Sequence, residues 1–386
     1  MSNHFDVIVV GVGSVGSATC YQLAKRGVRV LGLEQFNISH TLGSHHGGTR
    51  LIRQAYFEHP SYVELLKAVY PLWRALESET GVELFYQVGA LYLGSPDCEL
   101  VAGSQLASIA YDIPFQSLSP KEVEERFPAF RCPENWVGFF EPNAGFLHSE
   151  AAVAAMAQRA LEAGAVIRGQ TKVVSWESDS SHVTVRTESE SFTADRLVLC
   201  GGAWTGSLLS NLGVALRVTR QVVAWVWPQS PSDFCTERLP GWAIDPNPAG
   251  EYRGIYYGFP LSQNPLGVKL GWHAPGLESQ PDDVDRQVHQ HDLEWLPGFS
   301  EKYMPRLGSS LLGATTCLYT YSPDGHFIVD RHPRWDNVFF AGGFSGHGFK
   351  FAPIIGQALA DLALDNSTRL PVDFLQLGRL ACGFQY

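Results

Sequence analysis

"FDVIVVGVGSVGSATCYQLAKRGVRVLGLE", residues 5–34, decides the fold. Its first six residues are a short apolar run ended by glycine, the pattern of a strand buried on both faces of a parallel sheet. Gly11, Gly13 and Gly16 follow as G-x-G-x-x-G, ahead of a helical stretch that runs to Lys25 and Arg26 and stops at Gly27. Residues 28–34 read as a second strand ending in Glu34. Strand, turn, helix and strand within about 30 residues is the dinucleotide-binding arrangement. Gly11 permits the tight turn, Gly13 lets a pyrophosphate approach the backbone, and Gly16 lets the helix pack closely. Val12, Ser14 and Val15 complete the turn, and the helix N-terminus offers free N–H groups and a positive dipole end to phosphate. Glu34, with Gln35 beside it, can hold ribose hydroxyls, and an acid there disfavours a 2′-phosphate. The competing reading is a glycine-rich turn chosen only for packing.

Outward from that unit, a length of 386 residues makes two domains the default expectation. A net charge of -11 with no basic block argues against a nucleic-acid partner. No run approaches the ~18 apolar residues of a membrane span. "MSNHFD" lacks the pattern of a signal peptide and "ACGFQY" is no peroxisomal address, so the expected location is the cytoplasm. Seven cysteines are scattered without a C-x-x-C pair, which points away from a metal site and from a disulfide framework.

Residues 61–80 read as a long amphipathic helix kinked at Pro71, and Ser119, Pro120 and Glu122 as the capped start of a short one. A helix from a Ser149 cap to Gly164 follows, then a hairpin over 182–202 that ends in paired glycines. Between about 217 and 300 strand-like runs alternate with Pro-rich loops, and α/β character returns after 335. The expected architecture is α/β with mixed α+β character. A discontinuous, Rossmann-like dinucleotide domain (1–85, 148–216 and 317–386) is interrupted by a mostly antiparallel substrate domain (86–147 and 217–316). A second glycine-rich strand-to-helix turn at 342–348 favours FAD over NAD, because only the longer flavin needs a second turn so far along the chain.

These features occur with "GSHHGGTRLIRQAY" (43–56), "YYGFP" (256–260), "KLGWH" (269–273), "CLYTYSPDGHFIVD" (317–330) and "GFSGHGFKF" (343–351). In that order and almost end to end, the chain resembles the monomeric sarcosine oxidase family, which includes N-methyltryptophan and pipecolate oxidases. The resemblance implies FAD joined through its 8α carbon to Cys317. It implies that Arg50 stacks near the flavin, with His46 and Thr49 alongside, and that Arg53 and Lys350 bind the substrate carboxylate. Lys269 would lie over the flavin and promote its reaction with oxygen, by stabilising the superoxide charge as it develops. His273 would sit near the substrate amine, and Tyr257 and Tyr319 would line the pocket. Ser44, Val173, Gly202, Trp204, Gly343, Gly346, His347, Gly348 and Lys350 complete the expected flavin contacts. One departure stands out: the family often reads G-D-T-R where this chain has Gly48, which removes a charge beside the flavin.

From the residues alone, Arg50 and Arg53 could be a solvated helix face, Lys269 a solvated strand face and Cys317 a structural core thiol. With the resemblance, the implied reaction is oxidation of a secondary amino acid by O₂, giving an imine that hydrolyses, and hydrogen peroxide, by a monomer. A long segment before Tyr257 and Ala243 at a position often bulkier either enlarge the pocket or are neutral loop variation. A flavin dehydrogenase feeding a carrier, or a non-catalytic flavin-binding protein, are the alternatives.

Overall fold

The computed structural model describes residues 4–382 apart from 180, 248–250 and 252. The opening apolar run is the strand His4–Val10, which pairs in parallel with Val30–Leu33 on one side and Ser191–Leu199 on the other. Val166–Arg168 extends this eight-stranded sheet at one edge. The hairpin strands Val183–Thr187 and Val173–Ser178 extend it at the other. Val338–Gly342 also pairs in parallel with Ser191–Leu199. Helices Ser14–Ala24, Ser149–Glu162 and Ala352–Asp365 share one apolar cluster against the sheet. The first and last helices touch so closely that a Cβ on Gly356 would lie 2.6 Å from the Cβ of Ala18.

A second, nine-stranded sheet is antiparallel except where Gly241–Ile244 runs parallel to Ala90–Gly94. Next to one edge, Arg217–Trp227 lies between Leu266–His273 on one side and Ser310–Tyr321 on the other. Side chains alternate across a strand, so the register decides which residues meet. Lys269, Gly271 and His273 share a face with Tyr257, which pairs with Gly271. Gly271 also pairs with Val223, and two-residue steps along that strand reach Gln221 and Thr219, opposite Cys317 and Tyr319. Five of the expected site residues therefore stand on one face of one sheet. The opposite face carries Leu270, Val268, Val226, Trp242 and Phe140, packed against Leu296 and Phe299 of the helix Trp295–Tyr303. Each such apolar side chain contributes roughly 1.5–3 kcal/mol by leaving water.

A small third sheet joins Thr49–Ile52, Gly145–His148 and Phe85–Tyr86. It crosses the expected domain divisions near 85 and 148, and Ser310–Tyr321 runs unbroken through the division expected at 317. The mixed α/β class agrees with the sequence reading. In detail, Ser61–Thr80 stays one helix across Pro71: both Pro71 and Lys67 are exposed, so the carbonyl that proline cannot bond faces water. The cap before Ser149 is His148, and the Ser149 hydroxyl donates to Glu150 instead. Ser119 and Glu122 do form the reciprocal capping box. Residues 1–3 and 383–386 of the terminal segments read as lacking address signals, and 248–250 and 252 of the long segment before Tyr257, lie outside the described residues. Among the described residues no helix is long and apolar enough to cross a membrane, and no His, Cys, Asp and Glu cluster could hold a metal.

Candidate active site

A cavity of about 410 Å³ starts at the first glycine turn, where Gly11, Gly13, Ser14 and Val15 line it. It passes Glu34, Gln35, Ser44, Val173, Gly202 and Trp204, and reaches Arg50, Tyr319, Gly346 and Gly348. The chain is built for close approach at its start: Gly11 has φ +86°, and a Cβ there would lie 2.4 Å from the Cys200 carbonyl oxygen. A Cβ on Gly16 would lie 1.8 Å from the Gly11 oxygen, so the helix packs on the turn as its glycine allows. Helix Ser14–Ala24 has no side-chain cap, which leaves its first N–H groups to the cavity. Glu34 is buried and accepts the amides of Val12 (2.8 Å) and Phe36 (3.0 Å), while burial raises its carboxyl pKa. His45 Nε2 is buried without a hydrogen-bond partner among the described residues. A long cavity, an uncapped helix end and an unpartnered polar atom fit a dinucleotide such as FAD.

Val12, Gly16, Thr49, Cys317, Gly343, His347 and Lys350 do not line that cavity. Val12 instead presents its amide to Glu34. Gly343 turns with φ +63° against Ser322. His347 donates from Nε2 to Gly325 O (3.1 Å) and accepts the Tyr56 hydroxyl at Nδ1 (2.5 Å), and burial lowers its pKa to about 3.

At the far end of the cavity and beyond it the cations form two groups. In the first, Lys269 is 2% exposed and donates to Thr49 O at 2.8 Å. Arg50 donates to the same oxygen (2.7 Å) and to the carbonyls of Ser44 (2.8 Å) and His46 (2.5 Å). Burial, then Arg50, pushes the Lys269 pKa well below its ordinary value. His46 lies between Glu150 Oε1 (3.1 Å) and the Thr315 hydroxyl (3.3 Å). Cys317 is 2% exposed; burial raises its thiol pKa, and Arg50, Lys269 and Arg286 pull it back.

In the second group, Arg53 is 5% exposed and donates to Ala55 O (2.8 Å) and Glu58 Oε1 (2.5 Å). Its guanidinium lies 4.1 Å from the centre of the Tyr56 ring, and the Lys350 ammonium lies 5.1 Å from the same centre. Lys350 donates to His347 O (2.9 Å), and burial, then Arg53, lowers its pKa to about 7. The Glu58 Oε2 atom is buried without a hydrogen-bond partner among the described residues. His273 Nδ1 is 3.2 Å from the Tyr319 hydroxyl, and burial lowers its pKa to about 4, so the ring is neutral. Burial raises the Tyr257 pKa to about 12. Gly346 brings the C-terminal turn against this pair: a Cβ there would lie 2.6 Å from the Tyr319 ring and 2.9 Å from His273. Glu58, Glu141, Glu150, Tyr56 and Arg286 were not foreseen. In sequence they look like surface acids, a core aromatic and a loop cation; only Glu150, just inside a helix start, carried a local signal.

The family described as FAD dependent oxidoreductase matches residues 6–362. A monomeric sarcosine oxidase of Streptomyces avermitilis is 40% identical over 99% of both chains. An N-methyl-L-tryptophan oxidase of Yersinia pestis is 33% identical over 97% of this chain and 99% of its own. The solved structure of NikD, an amino acid oxidase essential for nikkomycin biosynthesis, superposes in its open form with a TM-score of 0.85 at 27% identity, covering 97% of each chain.

Proposed function

Because the chain belongs to the FAD dependent oxidoreductase family, within its sarcosine oxidase group, we propose that it oxidises the carbon–nitrogen bond of a secondary amino acid, N-methyl or cyclic, with O₂ as acceptor. The observation that carries this reading is the pair of buried cations, Arg53 and Lys350, on one aromatic ring. Two buried positive charges need compensating negative charge; Glu58 ion-pairs with Arg53 and acts on Lys350 only through space. A carboxylate offers bidentate geometry to the guanidinium, so the second anion is the carboxylate of an amino acid.

FAD would be held by the Gly11–Gly16 turn, Glu34 and the Gly346–Gly348 turn, with Cys317 carrying the 8α thioether. When bound, it supplies the acceptor for the hydride equivalent leaving the substrate carbon. The chain orients the substrate, its carboxylate on Arg53 and Lys350 and its amine toward neutral His273. The neutral ring can accept a hydrogen bond from the substrate N–H and adds no positive charge beside the amine. Lys269 and Arg50 place positive charge where negative charge builds as electrons reach oxygen. The product imine hydrolyses, and a cytoplasmic monomer releasing hydrogen peroxide completes the reading. Ala243 is buried beside Tyr92 and opposite Tyr257, so any extra room for a larger side chain lies along that stretch of the sheet.

A second reading, a dehydrogenase serving a carrier, draws on the depressed pKa of Lys269, which favours a neutral amine. Oxygen uptake against sarcosine, N-methyltryptophan, pipecolate, proline and glycine tests both. Peroxide formation with one secondary amine supports the oxidase; substrate-dependent dye reduction without oxygen uptake supports the dehydrogenase.

Two further results are expected. Cys317→Ser should bind FAD that acid precipitation releases into the supernatant, whereas wild-type pellets stay yellow; free FAD from the wild type would remove the thioether. Substrate binding should also weaken with pH. Lys350, with a pKa lowered to about 7, carries its charge below that pH, so KM is flat there. Above it the ammonium deprotonates and KM rises, about tenfold per unit while the bound form holds its proton. A KM independent of pH from 6 to 9, or a rise lost only on changing another residue, would remove Lys350 from the carboxylate site.

A further inference from the structure

We propose that Glu141 and Glu150 are positioning residues that fix the two ends of the arginine-bearing strand independently, Glu150 at the Arg50 end and Glu141 at the Arg53 end. The strand Thr49–Ile52 pairs antiparallel with Gly145–His148, Thr49 opposite His148 and Ile52 opposite Gly145. Glu141 closes the strand before that partner and Glu150 follows it in the first turn of a helix, so the two acids bracket it.

At the first end, Glu150 Oε1 accepts the amides of Gly47 (2.7 Å) and Gly48 (3.1 Å) and contacts His46 Nδ1 (3.1 Å). Oε2 accepts Gly48 N (3.0 Å) and the Ser149 hydroxyl (2.7 Å). The loop so pinned supplies the carbonyls of Ser44, His46 and Thr49 that hold Arg50. Residue 48 has no room for an acid of its own: its φ is +82°, and a Cβ would lie 2.6 Å from Pro265 Cδ. The helix therefore delivers the carboxylate that the loop cannot carry.

At the second end, Glu141 is 0% exposed, and its oxygens accept the amides of Gln54 (2.8 Å) and Ala55 (3.0 Å). Ala55 O in turn accepts the Arg53 guanidinium (2.8 Å). One residue is thus held at its N–H by a carboxylate and at its C=O by the guanidinium. A buried carboxylate is costly unless its bonds are specific, and these bonds end at Arg53.

The inference rests on Arg53 being the carboxylate anchor. Its test uses the full-length holoprotein and acetate as probe, with binding followed as a perturbation of the flavin absorbance. Glutamine keeps the size but turns an NH₂ toward an amide that needs an acceptor. Glu141→Gln is expected to raise the acetate Kd about tenfold with the spectrum of the free protein as in wild type. Glu150→Gln is expected to shift that spectrum with the acetate Kd within about twofold. If a glutamine variant does not fold, Glu141→Asp and Glu150→Asp, too short to reach both amides, should show the same division. Equal Kd values in wild type and the Glu141 variants, or both observables moving in both variants, would overturn the proposal. If wild type ignores acetate, the carboxylate-anchor reading falls first and takes this one with it.

Discussion

Lys269→Met should lower the rate of oxygen consumption by about 10²–10³-fold, while substrate added without oxygen still bleaches the protein within a few-fold of the wild-type rate. Lys269 sits on the site face of the nine-stranded sheet, almost fully buried, with one hydrogen bond to Thr49 O. Burial and Arg50 favour its neutral form, whereas Cys317 and Glu150 favour the charged one. A lysine in that balance gains most of its charge when an anion forms beside it, which is the electrostatic condition for helping oxygen accept an electron. Methionine keeps the length and apolar stem but removes the donor and the charge, and Thr49 O keeps its bond from Arg50. The sign of the pH effect follows: with a pKa below the ordinary lysine value, oxygen reactivity should fall as pH rises through that lowered pKa. Stopped-flow traces with and without oxygen separate the two half-reactions. Equal slowing of both would mean that Lys269 shapes the site without serving oxygen, and the dehydrogenase reading would gain.

Arg53→Met should raise KM by about 10²–10³-fold, the cost of removing one partner of a buried, hydrogen-bonded charge pair, about 3–4 kcal/mol. The loss has two parts that a second substitution separates. One is the substrate carboxylate. The other is the partly buried Glu58, held below the usual carboxylate pKa, against the cost of burial, chiefly by Arg53, then by His347 and Lys350, which would be left without its strongest counter-charge. Adding Glu58→Gln should recover thermal stability and leave KM high. Lysine at 53 should not rescue either, because one ammonium cannot reach Ala55 O, Glu58 and a substrate together as the guanidinium fork can. Steady-state kinetics on the three variants, with melting temperatures, checks this. A KM within threefold of wild type in Arg53→Met would place the substrate carboxylate elsewhere.

What the sequence disclosed follows the range of its signals. The glycine turn was readable because steric demand is local: Gly11 and Gly16 meet backbone atoms at distances that no side chain survives. Lys269 and His273 could be placed on one face from alternation alone, since that depends only on spacing. That Tyr257, Cys317 and Tyr319 join them depends on register between strands distant in sequence, and here the family resemblance supplied what periodicity could not. The glutamates escaped both routes. Glu150 carried only its place in the first turn of a helix, and Glu58 and Glu141 look like surface acids; their partners, the Arg53 side chain for Glu58 and backbone amides at Gly47, Gly48, Gln54 and Ala55 for the other two, leave no mark in the residue code. Arg286, which donates to Leu42 O (3.0 Å) from a loop without pattern, was hidden for the same reason.

The meeting of the first helix with the last has a consequence in time. Gly11–Gly16 is made about 330 residues ahead of the Gly346–Gly348 turn that ends the cavity and of the helix Ala352–Asp365 that packs on Ser14–Ala24. At roughly 5–20 residues per second, the turn waits on the order of tens of seconds for its far wall. The nascent chain cannot enclose a cofactor during that interval, so the cavity closes only once the second turn has been made. Cells starved of riboflavin should therefore accumulate a folded, colourless chain that takes up FAD afterwards, whereas a chain stopped before residue 343 should never turn yellow.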